Sequence, residues 1–245
     1  MSNEFKNKVI FITGASSGIG FQLANLFLKN KAKIVSVSRT KPKIKKNNRQ
    51  FKHINFDLTN FKKYDELFKK IPKAFGSIDF FVHAAGLQFI KPIKIITSED
   101  INRILDINLK SPIFISRFLS NKKIFKRPCS VVFIASIMGV VGSPGQSLYS
   151  SSKSGIIGLT KSLSLELSKS NIRVNCVSPG VIKSPLFDNY LKQVTSDMKK
   201  KVIENHPLGI GSFKDINMVI KFLLSNESKW ITGQNIIVDG GYTVQ

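Results

Sequence analysis

Tyr149 and Lys153, four residues apart in "SLYSSSKSG", are a pair of residue types suited to moving a proton. In a helix, side chains at positions i and i+4 lie on one face, so the Lys153 ammonium would lie near the Tyr149 hydroxyl. A nearby positive charge favours the phenolate and lowers the pKa of a tyrosine from its usual value of about 10. The spacing therefore makes Tyr149 a candidate general acid whose pKa Lys153 lowers. On this spacing alone, an ordinary pair on a helix surface is the stronger interpretation.

The stretch "TGASSGIG" follows the first apolar run of the chain and has glycines at positions 14, 18 and 20. Glycine permits a tight turn and a close approach of a ligand to the backbone, and the N-terminus of a helix attracts anions. The spacing predicts a turn that binds the pyrophosphate of a dinucleotide, with an ordinary Gly/Ser turn as the alternative. The candidate contacts are Gly14, Ala15, Ser16, Ser17, Gly18, Ile19 and Gly20.

The residues after the second apolar run are Ser38, Arg39 and Thr40, with no acid to bind the ribose hydroxyls of NAD. An arginine at this point can pair with the 2′-phosphate of NADP, so NADP(H) is favoured and NAD(H) is the alternative. A solvated basic loop is the competing interpretation, and it is the one we give to Lys41, Lys43, Lys45 and Lys46.

Three further runs end in candidate residues. Asp57 and Leu58 follow the third run, where Asp57 could bind the adenine amino group or equally cap the helix that comes next. His83 ends the fourth run and is expected to be a hydrogen-bonded core residue. Ser136 follows the fifth run, thirteen residues before Tyr149. The small residues that would let a cofactor lie against the backbone are Ala84, Ala85 and Gly86.

The elements that must position these residues alternate along the chain. Apolar, β-branched runs predict strands at 8–13, 33–38, 52–56, 78–84, 130–135, 172–178 and 234–239. Apolar residues at three- and four-residue spacing predict helices at 18–30, 60–71, 98–124, 149–169 and 214–225. This order predicts a single α/β domain over 1–245, with a parallel sheet and helices on both faces. Ligands of such sheets bind beyond the carboxyl ends of the strands, where the candidate residues lie.

The composition narrows the setting. Lys and Arg number 38 against 15 Asp and Glu, a net charge of +23 that attracts acidic partners, but the lysines are scattered, so nucleic-acid binding is not expected. Cys129 and Cys176 match no metal-site spacing and no disulfide framework, so no metal is expected. The short apolar run near the N-terminus is neither a signal peptide nor a membrane span. We expect a cytoplasmic protein without a membrane partner.

Taken together, the motifs resemble those of the short-chain dehydrogenase/reductase family from about residue 7 to the C-terminus. They are, in order, "TGASSGIG", "HAAG", "DIN", "FIAS", "YSSSK", "SPGVIKSP" and "GQNIIVDGG". The resemblance implies an NAD(P)-dependent oxidoreductase with a doubly wound Rossmann fold and a seven-stranded sheet. It also implies a homotetramer or homodimer built on the helices at 98–124 and 149–169.

The same resemblance implies a role for each matching residue. Tyr149 is similar to the family's general acid/base, and Lys153 to the lysine that holds the nicotinamide ribose and lowers the tyrosine pKa. Ser136 is similar to the serine that polarises the substrate carbonyl, and Asn108 to the asparagine that holds a relay water. A polar kink in a helix is the alternative for Asn108. The segment resembling the nicotinamide contact supplies Pro179, Gly180, Ile182 and Ser184.

Two positions depart from the family pattern. "HAAG" stands where the family usually has "NNAG", which removes a side-chain amide near the adenosine half. Ser17 stands where many NADP-dependent members carry a basic residue, so the NADP preference rests on Arg39.

The substrate is the least determined part of the prediction. The motifs are most similar to those of 3-oxoacyl-[acyl-carrier-protein] reductases. A mobile lid over the substrate is expected at 184–206, a segment that includes Tyr190 and Met198. A sugar, polyol or other secondary-alcohol dehydrogenase is the first alternative. The second is a basic binding protein for nucleic acid or an acidic partner. For an acyl carrier protein as partner, the basic stretch "NKKIFKR" at 121–127 is expected near the mouth of the cleft; the equal alternative is that these residues only solvate a helix end.

Overall fold

A computed structural model describes residues 3–44, 49–184, 187–188, 191 and 195–245. Seven parallel strands form one sheet in the order β3-β2-β1-β4-β5-β6-β7. Their bounds are β1 Val9–Thr13, β2 Lys33–Ser38, β3 Phe51–Asn55, β4 Ile78–His83, β5 Phe125–Ile134, β6 Ile172–Pro179 and β7 Asn235–Val238. The predicted α/β Rossmann fold with a seven-stranded parallel sheet is confirmed.

Helices cover both faces of the sheet. The bounds are α1 Gly18–Lys29, α2 Tyr64–Phe75, α3 Ser98–Leu105, α4 Ser111–Ser116, α5 Ser147–Ser168, α6 Ser196–Glu204 and α7 Phe213–Leu224. Apolar side chains of α2, α4 and α5 pack with one face, and those of α1 and α7 with the other. Because the central strands are buried on both faces, they are apolar at nearly every position, which is why their sequences predicted them.

One predicted helix, 98–124, is wrong in its continuity and its end. α3 passes into a π-helical turn at Asp106–Lys110, and α4 then ends at Ser116. The chain turns after that, and β5 begins at Phe125 instead of residue 130 because Phe125 pairs with Ile78 of β4. The other predicted elements lie within a few residues of the observed ones.

The carboxyl ends of the central strands meet at one edge of the sheet. The strand order reverses between β1 and β4, and a ligand crevice forms outside the sheet at such a switch point. Ser136 follows β5 at this edge, and Pro179 ends β6 there. The lid predicted over 184–206 includes α6, whereas Tyr190 and the Met198 side chain lie outside the described part of the chain.

Candidate active site

Tyr149 and Lys153 lie in the first turns of α5 and share one face of the helix. The Lys153 Nζ atom lies 5.7 Å from the centroid of the Tyr149 ring. The lysine is only 4% exposed, and its Nζ donates to the Ile134 carbonyl oxygen at 2.8 Å. This bond ties α5 to the carboxyl end of β5. The pair therefore faces the inside of the site and is not the ordinary surface pair of the alternative interpretation.

Ser136 comes from the loop directly after β5. Its Oγ accepts a hydrogen bond from the Met138 amide at 3.2 Å, and its hydroxyl also hydrogen-bonds the Tyr149 side chain. Gly139 lets this loop approach α5, because a Cβ there would lie 2.9 Å from the Lys153 carbonyl carbon. The structure thus brings Ser136, Tyr149 and Lys153 together.

Burial shifts the pKa values of Tyr149 and Lys153 in opposite directions. Burial raises the pKa of Tyr149 above its usual value of 10, although the hydrogen bond from Ser136 acts in the opposite direction. Burial also lowers the pKa of Lys153 from 10.5 to about 8. The lowering of the Tyr149 pKa by Lys153 stays a prediction, because burial is the largest influence on this pKa in the structure and acts in the other direction. Tyr149 holds its proton at neutral pH.

Asn108 lies in the π-helical turn and joins two parts of the site. Its Nδ2 donates to the Leu87 carbonyl at 2.9 Å and to Ser152 Oγ at 3.0 Å, while its Oδ1 accepts from the Leu87 amide at 2.8 Å. The amide thereby connects the loop after β4 to α5. Gly86 lies beside it, because a Cβ there would be 3.5 Å from both Asn108 Oδ1 and Lys153 Nζ. The helical irregularity expected for Asn108 is present, and its role with a water stays a prediction.

The glycine turn after β1 leaves backbone accessible to a ligand. Gly14 has φ +70°, and a Cβ there would lie 2.5 Å from the Ala85 amide nitrogen, so the turn packs directly on the end of β4. Gly18 also has positive φ, at +56°, but a Cβ there would meet open space. Ser17, at the N-cap of α1, makes no side-chain capping bond. The open first turn of α1 therefore fits the pyrophosphate of a dinucleotide.

The other residues of the predicted turn line it. Ala15 and Gly20 are buried, Ser16 and Ile19 are half-buried, and Ala84 at the end of β4 donates its amide to the Thr13 carbonyl at 3.2 Å.

Arg39 lies exposed just beyond β2. Asn55 of β3 holds its backbone by donating to the Arg39 carbonyl at 3.0 Å. Asp57 Oδ1 accepts from the Thr59 amide and hydroxyl, both at 2.9 Å, in a turn before α2; it does not cap that helix, whose N-cap is Lys63. Leu58 is buried. A cavity of about 520 Å³ opens here, lined by Asp57, Thr59, Asn60, Phe61 and Lys62.

The segment after β6 is held in place by backbone contacts. Gly180 lies against Asp239, whose Cα would be 2.7 Å from a glycine Cβ, and Ile182 forms an isolated bridge with Gly211. Ser184 Oγ accepts from the Phe187 amide at 3.2 Å. A cleft of about 540 Å³ adjoins this segment, lined by Lys183, Ser184, Phe187, Asp188, Leu191, Ile203, Ile210 and Phe213.

His83 is a core residue, as expected. Its Nδ1 lies 2.9 Å from Thr13 Oγ1, and burial, with the charge of Lys153, lowers its pKa to about 3. Sequence analysis assigned no role to Ser152, whose Oγ accepts a hydrogen bond from Asn108, or to His206. Neither stands in a motif spacing that would have indicated it.

The basic stretch at 121–127 does not lie near the site, so that expectation is wrong. It precedes β5, whose opposite end carries Ser136. Lys126 Nζ pairs with Asp79 at 3.3 Å, and the Arg127 guanidinium donates to three backbone carbonyls. These two side chains stabilise the amino edge of the sheet.

The seven-stranded parallel sheet with helices on both faces defines the class, a protein with a Rossmann-type α/β fold, and Ser136, Tyr149 and Lys153 meet at the carboxyl end of β5. A family model described as "Enoyl-(Acyl carrier protein) reductase" matches residues 14–243. The 3-oxoacyl-[acyl-carrier-protein] reductase FabG of Rickettsia prowazekii (strain Madrid E) is 34% identical over 240 residues, 97% of this chain and 98% of that protein. The chain belongs to the short-chain dehydrogenase/reductase family and is an oxidoreductase of that family.

Solved structures agree with this assignment. A 4-hydroxyisoleucine dehydrogenase complexed with NADH is 31% identical with a TM-score of 0.90, covering 98% of this chain and all (100%) of that one. ElxO with NADP bound is 28% identical with a TM-score of 0.86, at 98% and 100% coverage. None of the described helices is long and apolar enough to cross a membrane. Within the described residues, no cluster of three or more His, Cys, Asp and Glu side chains could hold a metal.

Proposed function

We propose that the protein reduces a carbonyl group to a secondary alcohol with NADPH, and that Tyr149 donates the proton. The observation that carries this proposal is that the buried Ser136 and Lys153 meet the half-buried Tyr149 at the carboxyl end of β5. A tyrosine with a raised pKa keeps its proton at neutral pH, which suits a general acid acting on a carbonyl oxygen. The reduced nicotinamide, when bound, supplies the hydride.

Each residue of the trio has one task in this proposal. The Ser136 hydroxyl orients and polarises the substrate carbonyl, and Tyr149 gives its proton to the carbonyl oxygen. Lys153 holds the nicotinamide ribose and stabilises the phenolate that the proton transfer leaves. Asn108 keeps the loop after β4 against α5 through its bonds to Leu87 and Ser152, and the relay water is assigned to it.

The residues present fit a dinucleotide. The open first turn of α1, with the free Cβ side of Gly18, would take the pyrophosphate, and Ala84 to Gly86 would let the cofactor lie on the end of β4. Pro179, Gly180, Ile182 and Ser184 would meet the nicotinamide. Relatives carry NADH in one structure and NADP in the other, so the preference for NADPH rests on the exposed Arg39.

A 3-oxoacyl thioester, including one carried by an acyl carrier protein, is the substrate we place first. The named activity of the Rickettsia relative supports it. So does the apolar side of the cleft behind Ser184, which is lined by Phe187, Leu191, Ile203, Ile210 and Phe213. A dehydrogenase of small secondary alcohols is the second candidate, favoured by the 4-hydroxyisoleucine dehydrogenase among the structural relatives.

We extend the proposal to a homodimer or homotetramer in the cytoplasm. Ile101 of α3, Ile113 of α4 and Leu165 of α5 are 40%, 41% and 77% exposed, an apolar surface on the helices that the family resemblance assigns to assembly. Light scattering of the purified protein tests this, and a monomer at micromolar concentration would contradict it.

The test of the proposed function is a substrate panel with both cofactors, followed at the NADPH absorbance. It includes 3-oxoacyl thioesters with and without the carrier, simple ketones, sugars and polyols. Turnover of 3-oxoacyl thioesters above all others supports the first candidate, and turnover of small alcohols alone supports the second. A protein that shows no turnover and no NADPH binding, yet binds DNA in a salt-dependent way, would overturn the proposal in favour of a basic binding protein.

A further inference from the structure

His206 lies at the turn after α6 and contacts three separate parts of the chain. It is 3% exposed, and its ring centroid is 5.0 Å from that of Tyr242 near the C-terminus. Its Nδ1 lies 2.8 Å from the carbonyl oxygen of Val202, in the last turns of α6. Its Nε2 accepts a hydrogen bond from the Val181 amide at 3.3 Å. One buried imidazole therefore joins α6, the segment after β6 and the C-terminal turn.

The two hydrogen bonds fix the state of the ring. A carbonyl oxygen only accepts, so Nδ1 must carry the proton that points at Val202. A backbone amide only donates, so Nε2 must present its lone pair to Val181. Both bonds form together only with the neutral imidazole protonated on Nδ1, and each ring nitrogen then has one partner.

The backbone on both sides of the Val181 amide is held by contacts to other parts of the chain. Its neighbours are Gly180, which packs on Asp239, and Ile182, which bridges to Gly211. The Val181 carbonyl accepts from the Gly211 amide at 3.1 Å, so the backbone of this residue is held from two sides. The hydrogen bond from the Val181 amide to His206 connects this backbone to α6.

We infer that His206 is a positioning residue that holds the backbone of 179–184 in the shape that accepts the nicotinamide, and that it links this shape to the placement of α6. The inference rests on the proposed function for the presence of a nicotinamide cofactor. It assigns His206 no contact with the cofactor. Its specific consequence is that loss of the imidazole weakens binding of the nicotinamide half and leaves the adenosine half unaffected.

The test compares two ligands on H206F and H206Q by calorimetry. Phenylalanine keeps a ring against Tyr242 but has no nitrogen, whereas glutamine retains one donor and one acceptor. The ligands are NADPH and 2′-phospho-ADP-ribose, which lacks the nicotinamide. We expect H206F to bind NADPH about tenfold more weakly, the effect of one lost hydrogen bond. Its affinity for 2′-phospho-ADP-ribose should stay within about twofold, and H206Q should recover most of the NADPH affinity.

A second histidine provides the matched control. His53 of β3 bonds Ser36 at 3.0 Å and is remote from the segment after β6, so H53F should leave the ratio of the two affinities unchanged. If H206F does not fold, H206L serves as the variant without ring nitrogens. Equal weakening of both ligands, or no weakening of either, would overturn the inference while the proposed function stands. A wild-type protein that binds neither ligand would overturn both.

Discussion

Tyr149 is half-buried in the first turns of α5, and its raised pKa keeps the proton that it would donate. Removing its hydroxyl takes away the proton donor and leaves the shape of the site. We expect Tyr149→Phe to lower kcat for carbonyl reduction by about 10²–10⁴-fold, the usual effect of a lost general acid. NADPH binding, measured by fluorescence, should be nearly unchanged. Turnover close to wild type would show that another group donates the proton.

Burial of the Lys153 ammonium group lowers the free energy of unfolding. Its pKa is lowered from 10.5 to about 8 by burial, so below pH 8 it is charged in both states and the unfolded chain holds that proton more tightly. This destabilises the native state by about 3 kcal/mol, a penalty that disappears as pH rises from 8 to 10.5.

Lys153→Met should therefore stabilise the protein while abolishing turnover. We expect a gain of about 1–2 kcal/mol in the free energy of unfolding at pH 7, because the loss of the donor to the Ile134 carbonyl offsets part of the relief. The gain should shrink toward pH 10. Urea unfolding at pH 7 and pH 9.5 measures it, and a variant less stable than wild type at both values would contradict the argument.

Arg39 carries the cofactor preference by itself. Its replacement with aspartate removes the partner of the 2′-phosphate and provides an acceptor for the ribose hydroxyls. We expect Arg39→Asp to shift the preference toward NADH by about 1.5–3 kcal/mol, the scale of a hydrogen bond to a charged group. The ratio of kcat/KM for the two cofactors measures the shift. A wild-type protein that already prefers NADH would refute this role of Arg39.

At this scale the sequence indicated which residues meet but not how they titrate. Tyr149, Lys153 and Ser136 could be predicted because helix periodicity and strand ends determine their positions. The direction of the Tyr149 pKa could not, because it depends on burial by the loop after β5 and by the neighbouring elements. The same applies to His206, whose partners are brought together only by the tertiary fold.

At the scale of elements, the strands were predictable because each buried strand is apolar over its length. The interruption between α3 and α4 was indicated only by the alternative interpretation of Asn108 as a polar kink, and not by the apolar pattern. It coincides with Asn108, whose side chain bonds the Leu87 backbone, a partner distant in sequence. A periodic pattern runs through such a turn without a signal, since the apolar residues on both sides still face the sheet.

The junction between the β1 turn and β4 depends on Gly14. A Cβ there would lie 2.5 Å from the Ala85 nitrogen with φ at +70°, whereas a Cβ on Gly18 would meet open space at φ +56°. We expect Gly14→Ala to lower the free energy of unfolding by about 3 kcal/mol or more, and Gly18→Ala by about 1 kcal/mol. Gly18→Ala should instead weaken NADPH binding, since its methyl group enters the space assigned to the pyrophosphate.

Urea unfolding and NADPH titration of both variants separate these effects. If Gly14→Ala were as stable as Gly18→Ala, the close packing of the turn on β4 would not hold in solution.

At the scale of the whole molecule, the distribution of charge matters more than its sum. The lysines and arginines that give the net charge of +23 occur along the whole sequence. The position of the stretch 121–127 could not be predicted because the start of β5 is set by pairing of Phe125 with Ile78, and this places the stretch a full strand away from Ser136. Because Phe125 pairs with Ile78 and Phe133 with His83, the two ends of β5 lie about six residue steps of 3.3 Å apart, about 20 Å.

This separation predicts which lysines attract the cofactor. Screening over about 10 Å at 0.1 M salt leaves charges at the far edge little influence on an anion entering the site. The double variant K122E/K123E should therefore change the association rate of NADPH by less than about twofold. K41E/K43E alters the same number of charges at exposed positions beyond β2, on the edge that carries the site, and should slow association several-fold. Stopped-flow fluorescence across a salt series measures both, and the difference should vanish at high salt. Equal slowing by the two pairs would mean that net charge alone governs the approach of the cofactor.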